Sequence, residues 1–214
     1  GPFLMEPLNL ARVVVFAKAP LPGQVKTRLI PALGADGAAR LARRMLDHAL
    51  TQAMESGVGA VELCMSPGPG DMAWQDIALP DAVLRAAQGG GDLGERMARA
   101  VHRVTTEPQR QPVLLMGTDC PALTAGVIAE AARQLAQHDA VMVPVEDGGY
   151  VLLGLRDDYP GIFRDMAWST PVVAAETLRR LASLGLSVWL GPTLQDIDEP
   201  VDLVHLPLEW KSSS

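Results

Sequence analysis

Short apolar runs alternate with helix-period segments along most of the chain, and this alternation constrains the fold more than any other feature of the sequence. The runs Val13–Ala17, Val61–Met65, Val83–Ala87, Val113–Met116, Val141–Val145, Val151–Leu155 and Leu186–Leu190 all have the length of a strand. Most are apolar throughout rather than at alternate positions, as strands covered on both faces are. From Gly37 to Ser56, the residues Ala38, Leu41, Ala42, Met45, Leu46, Ala49, Leu50 and Ala53 fall on one face of a helix. Gly57 is placed to end that helix in a left-handed C-cap. Asp92, with Glu95 three residues on, reads as a capping box before the stripe Leu93, Met97, Val101 and Val104. Thr124 opens a helix to about Gln137, and Thr170-Pro171 opens another that Gly185 ends. Strands and helices in this order predict an α/β fold, three layers α/β/α around a mostly parallel, mixed sheet.

With 214 residues, 48% hydrophobic and 20% charged, the chain is predicted to form one globular domain over 5–210. A net charge of -7 argues against a nucleic-acid partner, which needs a positive field, but leaves room for a small phosphate ligand held by a local group of cations. Two cysteines, Cys64 and Cys120, suit a reducing cytoplasm rather than a disulfide framework. No apolar run approaches the roughly 20 residues that span a bilayer, so no membrane partner is expected. Gly1–Leu4 lacks the pattern of a signal peptide, Gly1-Pro2 reads as a cloning remnant ahead of Met5, and Ser212–Ser214 reads as a loose tail. Oligomeric state is left open.

Ligands of open α/β sheets bind beyond the carboxyl ends of the strands, so the residues that follow each run carry the functional reading. After the first come Lys18, a Pro/Gly loop with Gly23, then Lys26 and Arg28. These are three cations able to neutralise phosphate oxygens, Arg28 bidentately, with a solvated basic loop as the alternative. After the central run comes Gly117-Thr118-Asp119-Cys120-Pro121. A carboxylate there can hold Mg²⁺ or Mn²⁺ jointly with a phosphate, or serve as a turn or cap residue. Asp196-Ile197-Asp198-Glu199-Pro200 offers a second carboxylate, provided the chain returns to the same edge; otherwise it is a polar turn before a short helix. Cys120 reads as a buried thiol, since no Cys/His spacing supports zinc, and His48, His102, His138 and His205 are given no role.

Phe16–Gly23 with Lys26–Leu29, Gln88–Met97, Gly117–Pro121, Glu146–Tyr150, Trp168–Thr170 and Asp196–Pro200 together resemble the motifs of the glycosyltransferase-A-like nucleotide-diphospho-sugar transferases. These are the DUF2064 group, with the arsenosugar-biosynthesis type of glycosyltransferase. More distantly, the chain is similar to the guanylyltransferases of cofactor F420 and molybdenum-cofactor assembly. The resemblance covers Val13 to Leu203. It implies that Lys18, Gly23, Lys26 and Arg28 meet nucleotide phosphates and that Gln88 and Gly89 lie near the base. It also implies that Asp119 and Asp198 hold the metal, with Asp196 competing for the second position, and that Gly148, Gly149, Tyr150 and Trp168 shape a sugar or acceptor pocket. Tyr150 and Trp168 read equally as packing residues. Two departures stand out: a single carboxylate at Thr118-Asp119-Cys120 where many sugar transferases have Asp-x-Asp, and two prolines, Pro20 and Pro22, in the first loop.

The expected activity is transfer of a sugar from a nucleotide-sugar to a small-molecule acceptor, with Mg²⁺ or Mn²⁺, Asp119 at the catalytic centre and Asp147 as the base. The alternatives are nucleotidyl transfer from an NTP to a phosphorylated substrate, and a nucleotide-binding module without turnover.

Overall fold

The computed structural model describes residues 9–211; the readings made on Gly1–Leu4, Met5 and the Ser212–Ser214 tail lie outside the described residues. Seven strands form one sheet: β1 (Arg12–Lys18), β2 (Val61–Ser66), β3 (Leu84–Ala87), β4 (Val113–Met116), β5 (Ala140–Pro144), β6 (Tyr150–Leu155) and β7 (Val188–Leu190), in the order β3-β2-β1-β4-β6-β5-β7. β1 pairs in parallel with β2 and β4, β2 with β3, and β5 with β7. Only β6 is reversed, antiparallel to both β4 and β5. The sheet is thus mixed and mostly parallel, as expected.

The helices are α1 (Ile30–Glu55), α2 (Leu93–Thr105), α3 (Ala125–Leu135), α4 (Val173–Ser183) and the short α5 (Leu208–Lys211). Strand alternation distributes the core. Val13, Val15, Leu63, Leu114 and Val143 pack with Leu46, Leu50 and Ile128 of α1 and α3 on one face. Val14, Cys64, Leu115, Met142 and Leu153 pack with Val101, Val104 and Leu181 of α2 and α4 on the other. Period-2 alternation with both faces buried makes the runs continuously apolar.

Most element ends shift by a residue or two from the sequence reading, and two helix starts differ by more than that or in their cap. α1 begins earlier, at Ile30 with Pro31 in its first turn, but is interrupted at Gly34, whose φ of 76° and ψ of 165° are not helical. The regular part beyond that break is the amphipathic stretch read from the sequence, and Gly57 closes it at a φ of 65°. α4 begins at Val173, not at Pro171, and Thr170 is not its cap: the Thr170 hydroxyl donates to Ala167 O at 2.6 Å. The capping box of α2 forms as read, with Asp92 accepting from Glu95 N at 2.8 Å and Glu95 accepting from Asp92 N at 3.2 Å. Among the described residues, no helix is long and apolar enough to cross a membrane.

Candidate functional site

Because β6 runs backwards, its start at Tyr150 lies at the same rim of the sheet as the ends of β1, β4 and β5. The loops carrying Lys18–Arg28, Gly117–Pro121, Glu146–Gly149 and Asp196–Asp198 therefore share one edge. Ile197 fastens the last of these: it is buried against Leu29, Ala38 and Met45, and its N–H donates to Asp119 O at 2.8 Å. The segment thus returns to the central strand, which was the condition set for a second carboxylate.

Charges on this rim are paired across loops. The Lys26 ammonium is 2.7 Å from Asp119 Oδ1 and donates to Ile197 O at 2.6 Å. Arg28 reaches Asp198 Oδ2 at 3.0 Å and Glu199 Oε1 at 3.7 Å. Asp202 supports the acidic turn, accepting from Asp198 N at 3.0 Å and Glu199 N at 2.9 Å. Asp196 behaves differently from its neighbours. Burial, then the negative charges of Asp119 and Asp147, push its pKa up to about 8; Lys26 opposes this and Asp198 adds to it. The perturbation reflects the burial of Asp196 and its place beside the other three carboxyls of the rim.

Asp147 is exposed, and its Oδ1 accepts from Gly149 N at 3.0 Å. Gly148, at a φ of 93°, lies against Pro171, where a Cβ would come within 2.1 Å of Pro171 O; its carbonyl accepts from Ala174 N at 2.9 Å. This close approach fixes the Asp147 loop to the start of α4. Tyr150 turns away from the acidic group. Its hydroxyl lies 3.9 Å from Met97 Sδ, and burial pushes its pKa up, disfavouring the phenolate. Trp168 packs on the α2 side, its ring edge close to Gly94, with a buried indole N–H that has no partner. Neither ring joins the carboxylates.

Gln88 is buried, and its side chain is spent on protein groups. The amide donates to Ala17 O at 3.3 Å and Cys64 O at 3.0 Å, and its oxygen accepts from Arg96 at 3.1 Å. Arg96 also donates to Ser66 Oγ and Gly91 O, and Arg99 holds the carbonyls of Gln88 and Gly90. Sequence reasoning gave Arg96 and Arg99 no role. Their signal was spacing: two arginines three apart on a helix that follows a glycine triplet share one face toward it. Lys18 stands exposed at the end of β1, and Gly23 turns the loop at a φ of 79°. Cys120 is a buried thiol, pushed up to about 12 mainly by burial.

The donors at this rim are carboxylate oxygens, which suit Mg²⁺ or Mn²⁺ and not zinc. Among the described residues, no group of three or more His, Cys, Asp or Glu is disposed to hold a metal. An ion here would take one or two carboxylates and complete its shell from phosphate and water, as Mg²⁺ ordinarily does. Two clefts flank the rim: one of about 520 Å³ between Pro20, Pro22 and Arg43, another of about 380 Å³ between Asp165 and α4. Neither is lined by Asp119, Asp147 or Asp198.

A family model described as an uncharacterized protein conserved in bacteria (DUF2064) matches residues 49–170. Among solved structures, the chain is similar to a proposed nucleotide-diphospho-sugar transferase from Desulfovibrio desulfuricans G20, at 32% identity over 97% of this chain and 90% of that one, with a TM-score of 0.86. It is similar in fold to Rv0371c from Mycobacterium tuberculosis H37Rv in complex with manganese, at 16% identity, 92% and 97% coverage and a TM-score of 0.55. It also shares its fold with 4-diphosphocytidyl-2C-methyl-D-erythritol synthase from Anaerococcus prevotii DSM 20548, at 10% identity, 94% and 97% coverage and a TM-score of 0.57. No curated protein matches the sequence.

Proposed function

We start from the fact that this chain belongs to the DUF2064 family, and propose that it is a single-domain, metal-dependent transferase that takes a sugar from a nucleotide-sugar to a small-molecule acceptor. The observation that carries the reading is the meeting of two cations with two carboxylates from distant segments: Lys26 with Asp119 at 2.7 Å, and Arg28 with Asp198 at 3.0 Å. A site that holds a diphosphate and a divalent ion needs both signs of charge within a few ångströms, and the solved relative at 32% identity points to the same ligand class.

In this reading Lys18, Lys26 and Arg28 bind the diphosphate oxygens, and the open turn at Gly23 brings backbone close to them. Asp119 and Asp198 hold Mg²⁺ or Mn²⁺, which when bound supplies charge neutralisation on the diphosphate. Asp147 stands at the rim with one oxygen committed to Gly149 and the other available to an acceptor hydroxyl. The acceptor oxygen forms the bond to the anomeric carbon, the sugar–phosphate C–O bond breaks, and the nucleoside diphosphate leaves with the electron pair. The hydroxyl proton passes to Asp147. Gly148 and Gly149 set the angle of that loop. Gln88 holds the Gly89–Gly91 turn beneath the base.

The experiment is incubation with UDP-, GDP- and dTDP-sugars and Mn²⁺, following nucleoside diphosphate release. Release with at least one donor, abolished in Asp119→Asn, is expected. Pyrophosphate release from an NTP and a phosphorylated substrate would replace this reading with nucleotidyl transfer. Nucleotide binding independent of metal, with no product of either kind, would leave a binding module.

A further inference from the structure

We propose that Lys26 is the resident counter-cation of Asp119, so that a divalent ion and a diphosphate enter the site as a mutually dependent pair by displacing it. This rests on the reading above, in which Asp119 meets the ion. A lysine in a Pro/Gly surface loop ordinarily extends into water, where its side chain keeps its rotamer freedom. Lys26 does the opposite: its side chain is 7% exposed. Its ammonium is held by Asp119 Oδ1 at 2.7 Å and the Ile197 carbonyl at 2.6 Å. Its backbone sits at φ 50° and ψ 42°, a left-handed conformation that a side-chain-bearing residue adopts only at a cost. The turn that follows maintains it: Lys26 O accepts from the N–H of Leu29, a fully buried residue. The loop is thus built to aim this ammonium inward, where three chain segments meet.

A divalent ion alone, taken by the half-exposed Asp119, meets the ammonium already held on Oδ1: it either displaces Lys26, leaving a buried ammonium with one carbonyl partner, or sits beside a like charge. A diphosphate alone draws Lys26 away and leaves Asp119 without its cation, beside Asp147, Asp196 and Asp198. Together the two ligands exchange the pair cleanly, Lys26 passing to phosphate oxygen and Asp119 to the ion. Coupling of this kind is reciprocal between the two ligands. The pair Arg28–Asp198 repeats the motif at the outer edge, where side chains 60% and 39% exposed are screened by water. Lys26 therefore carries most of the dependence, as a positioning residue for the metal carboxylate.

The test is titration of chelator-treated protein with Mn²⁺ alone, reading free Mn²⁺ by electron paramagnetic resonance, for wild type, Lys26→Met, Lys26→Gln and Lys26→Arg. Lys26→Met is expected to bind Mn²⁺ about tenfold more tightly than wild type, within the usual range of a coupling between sites. Lys26→Arg should remain at the wild-type level, and the gain should vanish when Asp119→Asn is added. Lys26→Gln, which keeps a donor for the Ile197 carbonyl, provides the same measurement should the methionine variant not fold. A merely structural lysine would lower metal affinity when removed, not raise it. Equal or weaker Mn²⁺ binding in both neutral variants overturns the proposal, and leaves the transferase reading standing if wild type turns over. A gain without turnover by wild type keeps Lys26 in this role and retires the reading. No Mn²⁺ binding by any of the proteins overturns both.

Discussion

Arg103 of α2 places two guanidinium nitrogens on the two carboxylate oxygens of Glu62, at 2.6 and 2.8 Å, beneath the sheet at β2. The Glu62 side chain is 3% exposed, and Arg12 adds a more distant contact at 3.6 Å. Removing Arg103 leaves the buried Glu62 carboxylate with only the more distant Arg12 beside it. Arg103→Leu is therefore expected to lose about 3–5 kcal/mol of stability, as buried pairs do when broken from one side. Urea unfolding of Arg103→Leu beside the double variant Glu62→Gln/Arg103→Leu checks this. The double variant should recover part of the loss; if it does not, the pair is not what holds α2 to β2.

Gln88 provides a second test. Its side-chain amide joins the Ala17 and Cys64 carbonyls of β1 and β2 to Arg96, which in turn holds Gly91. Gln88→Leu removes all three bonds while filling similar space, and unsatisfied buried groups cost about 1–3 kcal/mol. Gln88→Leu should therefore unfold at lower urea and lose nucleotide affinity, because the turn at Gly89–Gly91 loses its floor. Unchanged stability with lost binding would instead make Gln88 a direct contact of the base, near which the resemblance places it.

These contacts mark the limit of what the sequence discloses. The layers follow from periodicity because burial on two faces writes itself as uninterrupted apolar runs. The direction of β6 does not, since Val151–Leu155 reads the same either way. The clue lay in the 145–149 connection between β5 and β6, too short for a parallel crossover. At the rim, Lys26, Arg28, Asp119 and Asp198 were legible because each follows a strand or returns to one. Three-dimensional facts were not: that Lys26 points inward, that Asp196 is buried among like charges, that Tyr150 turns to Met97. Each depends on contacts with residues tens of positions away.

The pH response of Cys64 has a definite sign. Burial first, then Glu62, raises its thiol from 9.0 to about 11. Below pH 9 the thiol is protonated in both states and contributes nothing. Above it the unfolded chain ionises first, so stability falls as pH rises from 9 toward 11. Melting temperatures of wild type should decline more steeply across pH 8.5–10 (about the ordinary thiol range) than those of Cys64→Ala, whatever their absolute levels. In the same pH range Cys64 should react with a thiol reagent only as fast as the protein opens. Rapid labelling of native protein at pH 8 would contradict the burial.

Gly148 tests whether the acidic loop is held as its geometry indicates. At φ 93°, and with Pro171 O occupying the place of a Cβ, alanine meets both backbone strain and a clash with main chain. Gly148→Ala should cost at least about 1–2 kcal/mol and displace the Asp147 loop from the start of α4. Gly149→Ala, whose Cβ would meet nothing closer than 3.4 Å, is the control and should be far milder in urea unfolding. Equal effects of the two would show that the approach to Pro171 is not what fixes the loop.

Arg28 separates ligand binding from stability at the same rim. Its pair with Asp198 is exposed to solvent on both sides, and pairs of that kind contribute about 0–1 kcal/mol to folding. Arg28→Ala should therefore leave the unfolding midpoint nearly where it was. A charge-assisted bond to phosphate contributes about 1.5–3 kcal/mol, so the same change should weaken binding of nucleoside diphosphate with Mn²⁺ by roughly ten- to hundredfold, measured by calorimetry. Arg28→Lys should recover part of that loss, since it restores charge without the planar fork. If Arg28→Ala destabilises the fold strongly and binds nucleotide as wild type does, the arginine is a clasp for the Asp198 turn. The phosphate role would then fall to Lys18 and Lys26.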